Sequence, residues 1–97
     1  MYCKISLAVT RFDSTKASEI ILAVKQEYAL GHSIKLDGNN IVATAEGTFE
    51  SGEGKKLAYR LGRSAFAANQ GPCVVDVRIE DQDGHDDYRF DENNMPY

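Results

Sequence analysis

From Cys3 to Phe12 the side chains alternate, with Cys3, Ile5, Leu7 and Val9 on one parity and Lys4, Ser6, Ala8 and Thr10 on the other. Successive residues of a strand point to opposite faces, so this segment is a strand with one face buried and one face wet. The period then changes from two to 3.6. Asp13, Ser14 and Thr15 offer N-cap oxygens, and Ala17, Ile20, Ile21, Val24 and Tyr28 recur at helical spacing until Gly31 supplies a stop, which predicts a helix over residues 15–30. A strand with one apolar face followed at once by a helix with one apolar stripe requires a layer of sheet packed against a layer of helix.

The rest of the chain repeats the same two periods. Ile34 and Leu36 share a parity, as do Ile41, Ala43, Ala45 and Phe49, and Asp37-Gly38-Asn39-Asn40 between them tolerates positive φ, so a β-hairpin is expected. After Ser51-Gly52-Glu53-Gly54, the stripe Leu57, Ala58, Leu61, Ala65 and Ala68 predicts a second helix that ends at Gly71-Pro72. Cys73, Val75, Val77 and Ile79 alternate with Asp76, Arg78 and Glu80, and Asp81-Gln82-Asp83-Gly84 turns the chain toward Tyr88 and Phe90 in a second hairpin. Residues 91–97 have no periodicity and read as a flexible C-terminal tail.

The order β-α-β-β-α-β predicts an α+β two-layer sandwich of ferredoxin-like plan. Its antiparallel sheet has the order 4-1-3-2, both helices lie on one face, and an extra C-terminal hairpin strand sits beside strand four. A length of 97 residues suits a single domain, here residues 1–90, and 42% hydrophobic against 27% charged residues is a composition that can bury a core. In that order Cys3 and Cys73 begin antiparallel neighbours and lie at opposite ends, far beyond the ~7 Å between Cα atoms that a disulfide requires. Both are expected to be reduced core thiols. The start Met1-Tyr2-Cys3-Lys4 leads straight into a strand and no run of about 20 apolar residues occurs, so the expected location is cytoplasmic, away from any membrane.

Charge is the least ordinary feature. The net charge is -4, and the excess acid is concentrated in the second hairpin, where Asp76, Glu80, Asp81, Asp83, Asp86, Asp87, Asp91 and Glu92 face Arg78 and Arg89. The second helix carries Lys55, Lys56, Arg60 and Arg63. An acid-rich hairpin either docks on a basic surface or is a solvated edge that resists strand-to-strand aggregation. Direct nucleic-acid binding is not expected, because the net field opposes phosphates and the outward positions of the strands lack an aromatic platform.

No constellation of catalytic residues is legible. His32 and His85 are the only histidines, and neither stands beside a serine or cysteine at a suggestive spacing. Asp81 to Asp87 departs from a calcium loop, since Asp86 occupies the place where glycine is required and no helix follows. Gly47, Gly52, Gly54 and Gly62 do not form a phosphate-binding spacing. No cofactor and no metal is expected. The composition points to a small non-enzymatic protein-binding module, an inhibitor or nucleic-acid-mimicking decoy of the size that phages and mobile elements encode, with the eight carboxylates as its partner-binding residues. The alternative is a small-ligand or metal-sensing dimeric domain, with ligand at a helix N-terminus or at the acidic loop. Exposure of Tyr2, Phe12, Tyr59 and Phe66 would supply a homodimer surface, whereas their burial would mean a wider core.

Overall fold

A computed structural model describes residues 1–27, 32–50 and 52–93. Five strands and two helices follow one another: β1 (Tyr2–Thr10), a 3-10 turn (Ser14–Lys16) leading into α1 (Ala17–Glu27), β2 (His32–Asp37), β3 (Asn40–Thr48), α2 (Glu53–Asn69), β4 (Val74–Asp81) and β5 (Gly84–Phe90). The expected end of the first helix at Tyr28 and Gly31, and residues 94–97 of the tail, lie outside the described residues. All strand pairs are antiparallel, and the sheet order is β2-β3-β1-β4-β5. The class expected from the periodicities, α+β with an antiparallel sheet and two helices, is the class observed.

Strand β1 is the central strand of the five. It pairs with β3 from Tyr2↔Thr48 to Val9↔Ile41 and with β4 from Lys4↔Glu80 to Thr10↔Val74. One parity of each strand turns toward the helices, so Cys3, Ile5, Leu7, Val9, Ile41, Ala43, Ala45, Val75, Val77 and Ile79 are buried against Ile20, Val24, Leu57, Ala58, Leu61 and Ala65. The thiols of Cys3 and Cys73 are free and buried, and the β1–β4 register sets them at opposite ends of the ladder.

Two junctions show why the helices start and stop where they do. The Asp13 carboxylate accepts the backbone N–H of Thr15 at 2.9 Å and the Thr15 hydroxyl at 2.8 Å, which caps the 3-10 turn and holds that carboxyl below its usual range. Helix α2 ends just before Gly71-Pro72, where the left-handed residue is Gln70 (φ 56), and its N–H donates to the Ala67 carbonyl. Asn69, only 3% exposed, uses both ends of its amide: its oxygen accepts Asp13 N–H at 2.8 Å, and its nitrogen donates to the carbonyls of Gly71 (2.9 Å) and Pro72 (3.2 Å). One buried amide thus joins the β1-to-α1 connection to the α2-to-β4 connection.

Helix α2 reaches the sheet through glycine as well as through leucine and alanine. A Cβ on Gly62 would stand 2.4 Å from Cε1 of Phe90 and 2.8 Å from Cγ2 of Val77, so the absence of a side chain is what lets the Phe90 ring lie beneath the helix. Phe90 is fully buried, and its ring meets Tyr59 edge to face at 5.5 Å between centroids. Burial of a phenylalanine contributes about 2–3 kcal/mol, and on β5, whose other side chains are exposed or half-buried, this one ring anchors the strand. Phe12, Tyr59 and Phe66 all pack against the core, which is therefore wider than the stripe of Leu57, Ala58, Leu61 and Ala65 alone. Tyr2 remains 57% exposed.

Candidate functional site

The β4–β5 hairpin carries the acid-rich segment, and its register decides where each carboxylate points. Asp81 pairs with Gly84 across the two-residue turn Gln82-Asp83, and from there Glu80↔His85, Ile79↔Asp86, Arg78↔Asp87, Val77↔Tyr88, Asp76↔Arg89 and Val75↔Phe90 follow. Ile79, Val77 and Val75 face the helices, so Asp86 shares the helix side while Asp76, Glu80 and Asp87 lie on the open face of the sheet. Asp83 is in the turn, and Asp91 and Glu92 follow β5 at its far end. The hairpin therefore distributes the eight carboxylates over two faces and two ends.

Three of them are matched within the molecule. Asp76 accepts Arg89 Nε at 2.8 Å, Asp87 accepts Arg78 Nε at 2.8 Å, and Asp86 stands 3.0 Å from Lys55 Nζ. The hydrogen bond from Arg78 holds the Asp87 carboxyl below its usual range, and the bond to Asp86 raises Lys55 above its own. His85 Nε2 lies 3.5 Å from Asp87 as well. In contrast, Glu80, Asp81 and Asp83 have no cation within 4 Å among the described residues. The Asp81 carboxylate instead accepts the N–H of Asp83 at 2.8 Å, and Gly84 leaves the turn at φ 140. The carboxylates without a close ion pair among the described residues thereby lie at the turn and at the far end, where Glu80 still acts on Arg78, Asp81 on Lys55 and Asp91 on Arg89 at longer range.

Two cations of the basic stripe of α2 are matched in the same manner. Lys56 pairs with Glu53 at 3.5 Å, and Arg60 pairs at 3.3 Å with Glu27 of α1, which also accepts the Ser64 hydroxyl at 2.8 Å. Phosphate contact through Lys56, Arg60 and Arg63 would compete with the first two of these pairs.

One relation was not legible from residue order. The turn of the hairpin and the start of α2 line a common cleft with Met1, Cys3, Phe49, Gly54, Lys55, Ile79, Asp81, Asp83, His85 and Asp86 on its walls. Sequence reasoning treated the acidic loop and the helix N-terminus as separate places. The signal that joins them is the sheet order, which sets the end of β4 beside the start of β1, together with the close approach of Gly54, where an added Cβ would lie 3.0 Å from Ile79 and 3.3 Å from Cys3 Sγ. Among the described residues, no group of three or more His, Cys, Asp and Glu side chains converges closely enough to hold a metal ion.

The helix-free face has a floor of small residues, Ser6, Ala8, Val42 and Thr44, bordered by Asp76, Arg78, Glu80, Asp87 and Arg89. Tyr2 at the end of β1 hydrogen-bonds the Glu46 carboxylate, which raises the tyrosine above its ordinary pKa. No helix among the described residues is long and apolar enough to cross a membrane. No protein-family model, no curated protein and no solved structure matches the chain.

Proposed function

We propose that this chain is a small non-enzymatic protein-binding module of ferredoxin-like plan that works in the cytoplasm and docks a basic protein surface on the turn of the β4–β5 hairpin. The observation that carries the reading is the contrast within the hairpin: Asp76, Asp86 and Asp87 form close ion pairs with Arg89, Lys55 and Arg78, whereas Glu80, Asp81 and Asp83, together at one end, have no cation within 4 Å among the described residues. Unpaired carboxylates steer and select a cationic partner, and paired ones hold the strand geometry that presents them. The same contrast favours a docking surface over imitation of a phosphate backbone, because a mimic needs evenly spaced, uncompensated charge.

The test neutralises the turn alone. In the triple variant Glu80→Gln, Asp81→Asn and Asp83→Asn, the side-chain amide at position 81 keeps an oxygen that can accept the backbone N–H of position 83. The melting temperature should therefore stay within a few degrees while binding of the basic partner is lost. Retained binding would falsify the reading. A second reading, ligand sensing, is favoured by the cleft that joins the acidic turn to the start of α2. A calcium, manganese or zinc ion that binds the folded state through the acidic turn would raise the melting temperature of the wild type and not of the triple variant, whereas an anion at the start of α2 would raise both.

A further inference from the structure

Strand β2 is an outer strand of the sheet, with β3 as its neighbour. Its turn Gly38-Asn39, with Gly38 at φ 62, closes on Asp37↔Asn40, so Ser33, Lys35 and Asp37 bond back to β3. The main-chain N–H and C=O groups of Ile34 and Leu36 consequently point toward the outer edge. Such a row of donors and acceptors is a template for another strand, and a lysine in mid-strand is a usual guard against it. Two features of β2 go beyond a guard. Leu36 lies opposite the buried Ile41, on the helix side, yet is 53% exposed. Lys35 and Asp37 lie on the helix-free face opposite the uncharged Val42 and Asn40, and have no counter-ion within 4 Å among the described residues.

We propose that β2 pairs antiparallel with β2 of a second copy of this chain, about a two-fold axis at Leu36. In that register Lys35 lies opposite the partner's Asp37, twice by symmetry, at non-hydrogen-bonded positions where facing side chains come closest. On the helix side the two exposed Leu36 side chains become cross-strand neighbours and cover one another. Ile34 falls opposite the partner's Gly38, which has no side chain to obstruct it. Opposite charges at directly facing positions stabilise a sheet, while like charges there oppose it. Outward main-chain groups must meet outward groups, so the axis falls at a residue and not between two. Within the span Ile34 to Asp37, an axis at Lys35 or at Asp37 sets that residue against its own copy, and an axis at Ile34 sets Lys35 against Ser33. The axis at Leu36 is the one that answers both charges. A contact from Ile34 to Gly38 is about 17 Å long and about 10 Å deep, far below the ~1,200 Å² of a small specific interface. The dimer is therefore weak, and its population rises with concentration.

This inference uses Lys35, Leu36 and Asp37, all of which the triple turn variant leaves intact, so failure of one reading is separable from failure of the other. The experiment combines sedimentation equilibrium with amide hydrogen exchange at dilute and at high protein concentration. The wild type should move toward twice the protomer mass, with the Leu36 amide slowing about tenfold when nine-tenths of the chain is paired. At that concentration Lys35→Glu and Asp37→Lys, both at exposed positions, should each be a folded monomer. The double variant Lys35→Glu with Asp37→Lys restores both pairs across the axis and should be a dimer again. Because Asp37→Lys halves the net charge of -4, its loss of pairing reports the register and not general repulsion. Should a variant fail to fold, Leu36 exchange in the wild type decides alone. A protomer mass at every wild-type concentration, a dimer whose Leu36 amide exchanges at the dilute rate, a dimer that survives either single swap, or a folded double variant that stays monomeric would overturn the proposal.

Discussion

Gly62 sits where helix and sheet come closest, and its missing side chain is the condition for the Phe90 ring beneath it. Gly62→Ala should cost about 1–3 kcal/mol, read as a lower urea midpoint with an unchanged slope, whereas a midpoint at or above that of the wild type would mean that the ring can move aside. Nothing in the sequence marked this glycine as a core residue, because hydrophobic spacing counts side chains and is blind to a position defined by lacking one. Cys73 offers a test by pH. Burial pushes its thiol up to about 11 from an ordinary 9.0. The folded chain therefore holds this proton more tightly than the unfolded chain, and the associated stability is complete below pH 9 and is lost as pH rises toward 11. Cys73→Ala should flatten the fall in melting temperature across that window; identical slopes for the two proteins would refute the assignment.

At the scale of elements, the strands were readable because each has a buried and a wet parity, and the helices because Ile20 and Val24 or Leu57, Ala58, Leu61 and Ala65 recur at helical spacing. The junctions were less readable. Helix α2 stops just before Gly71-Pro72, as its spacing predicts, but nothing local marks Gln70 as the left-handed residue or Asn69 as the donor to the carbonyls of Gly71 and Pro72. A long-range clasp has no local signature, and Asn69 is separated by 56 residues from the Asp13 amide it accepts. Asn69→Ala should destabilise the chain by about 1–3 kcal/mol, with faster amide exchange at Asp13. Asn69→Asp should not rescue it, because a carboxylate cannot donate to the two carbonyls. An Asp variant as stable as the wild type would contradict the clasp.

Across the whole molecule, linear charge counting found the right segment but not its electrostatics. The sequence placed eight carboxylates in one hairpin, and pairing across strands and layers then removed Asp76, Asp86 and Asp87 from the uncompensated set while Lys55 and Arg60 were drawn into pairs of their own. What remains is a compact sheet-and-helix body, 12.5 Å in radius of gyration, with unmatched acid at the hairpin turn. Whether this turn binds a partner is tested by affinity capture of a basic protein from native lysate at low and at high salt, with the triple turn variant alongside. Exposed charges are screened over about 3 Å in 1 M salt against about 10 Å at 0.1 M. The partner should be retained at low salt, released at high salt and lost with the variant; a partner held equally at both salts, or equally by the variant, would mean that the turn is not the surface that binds it.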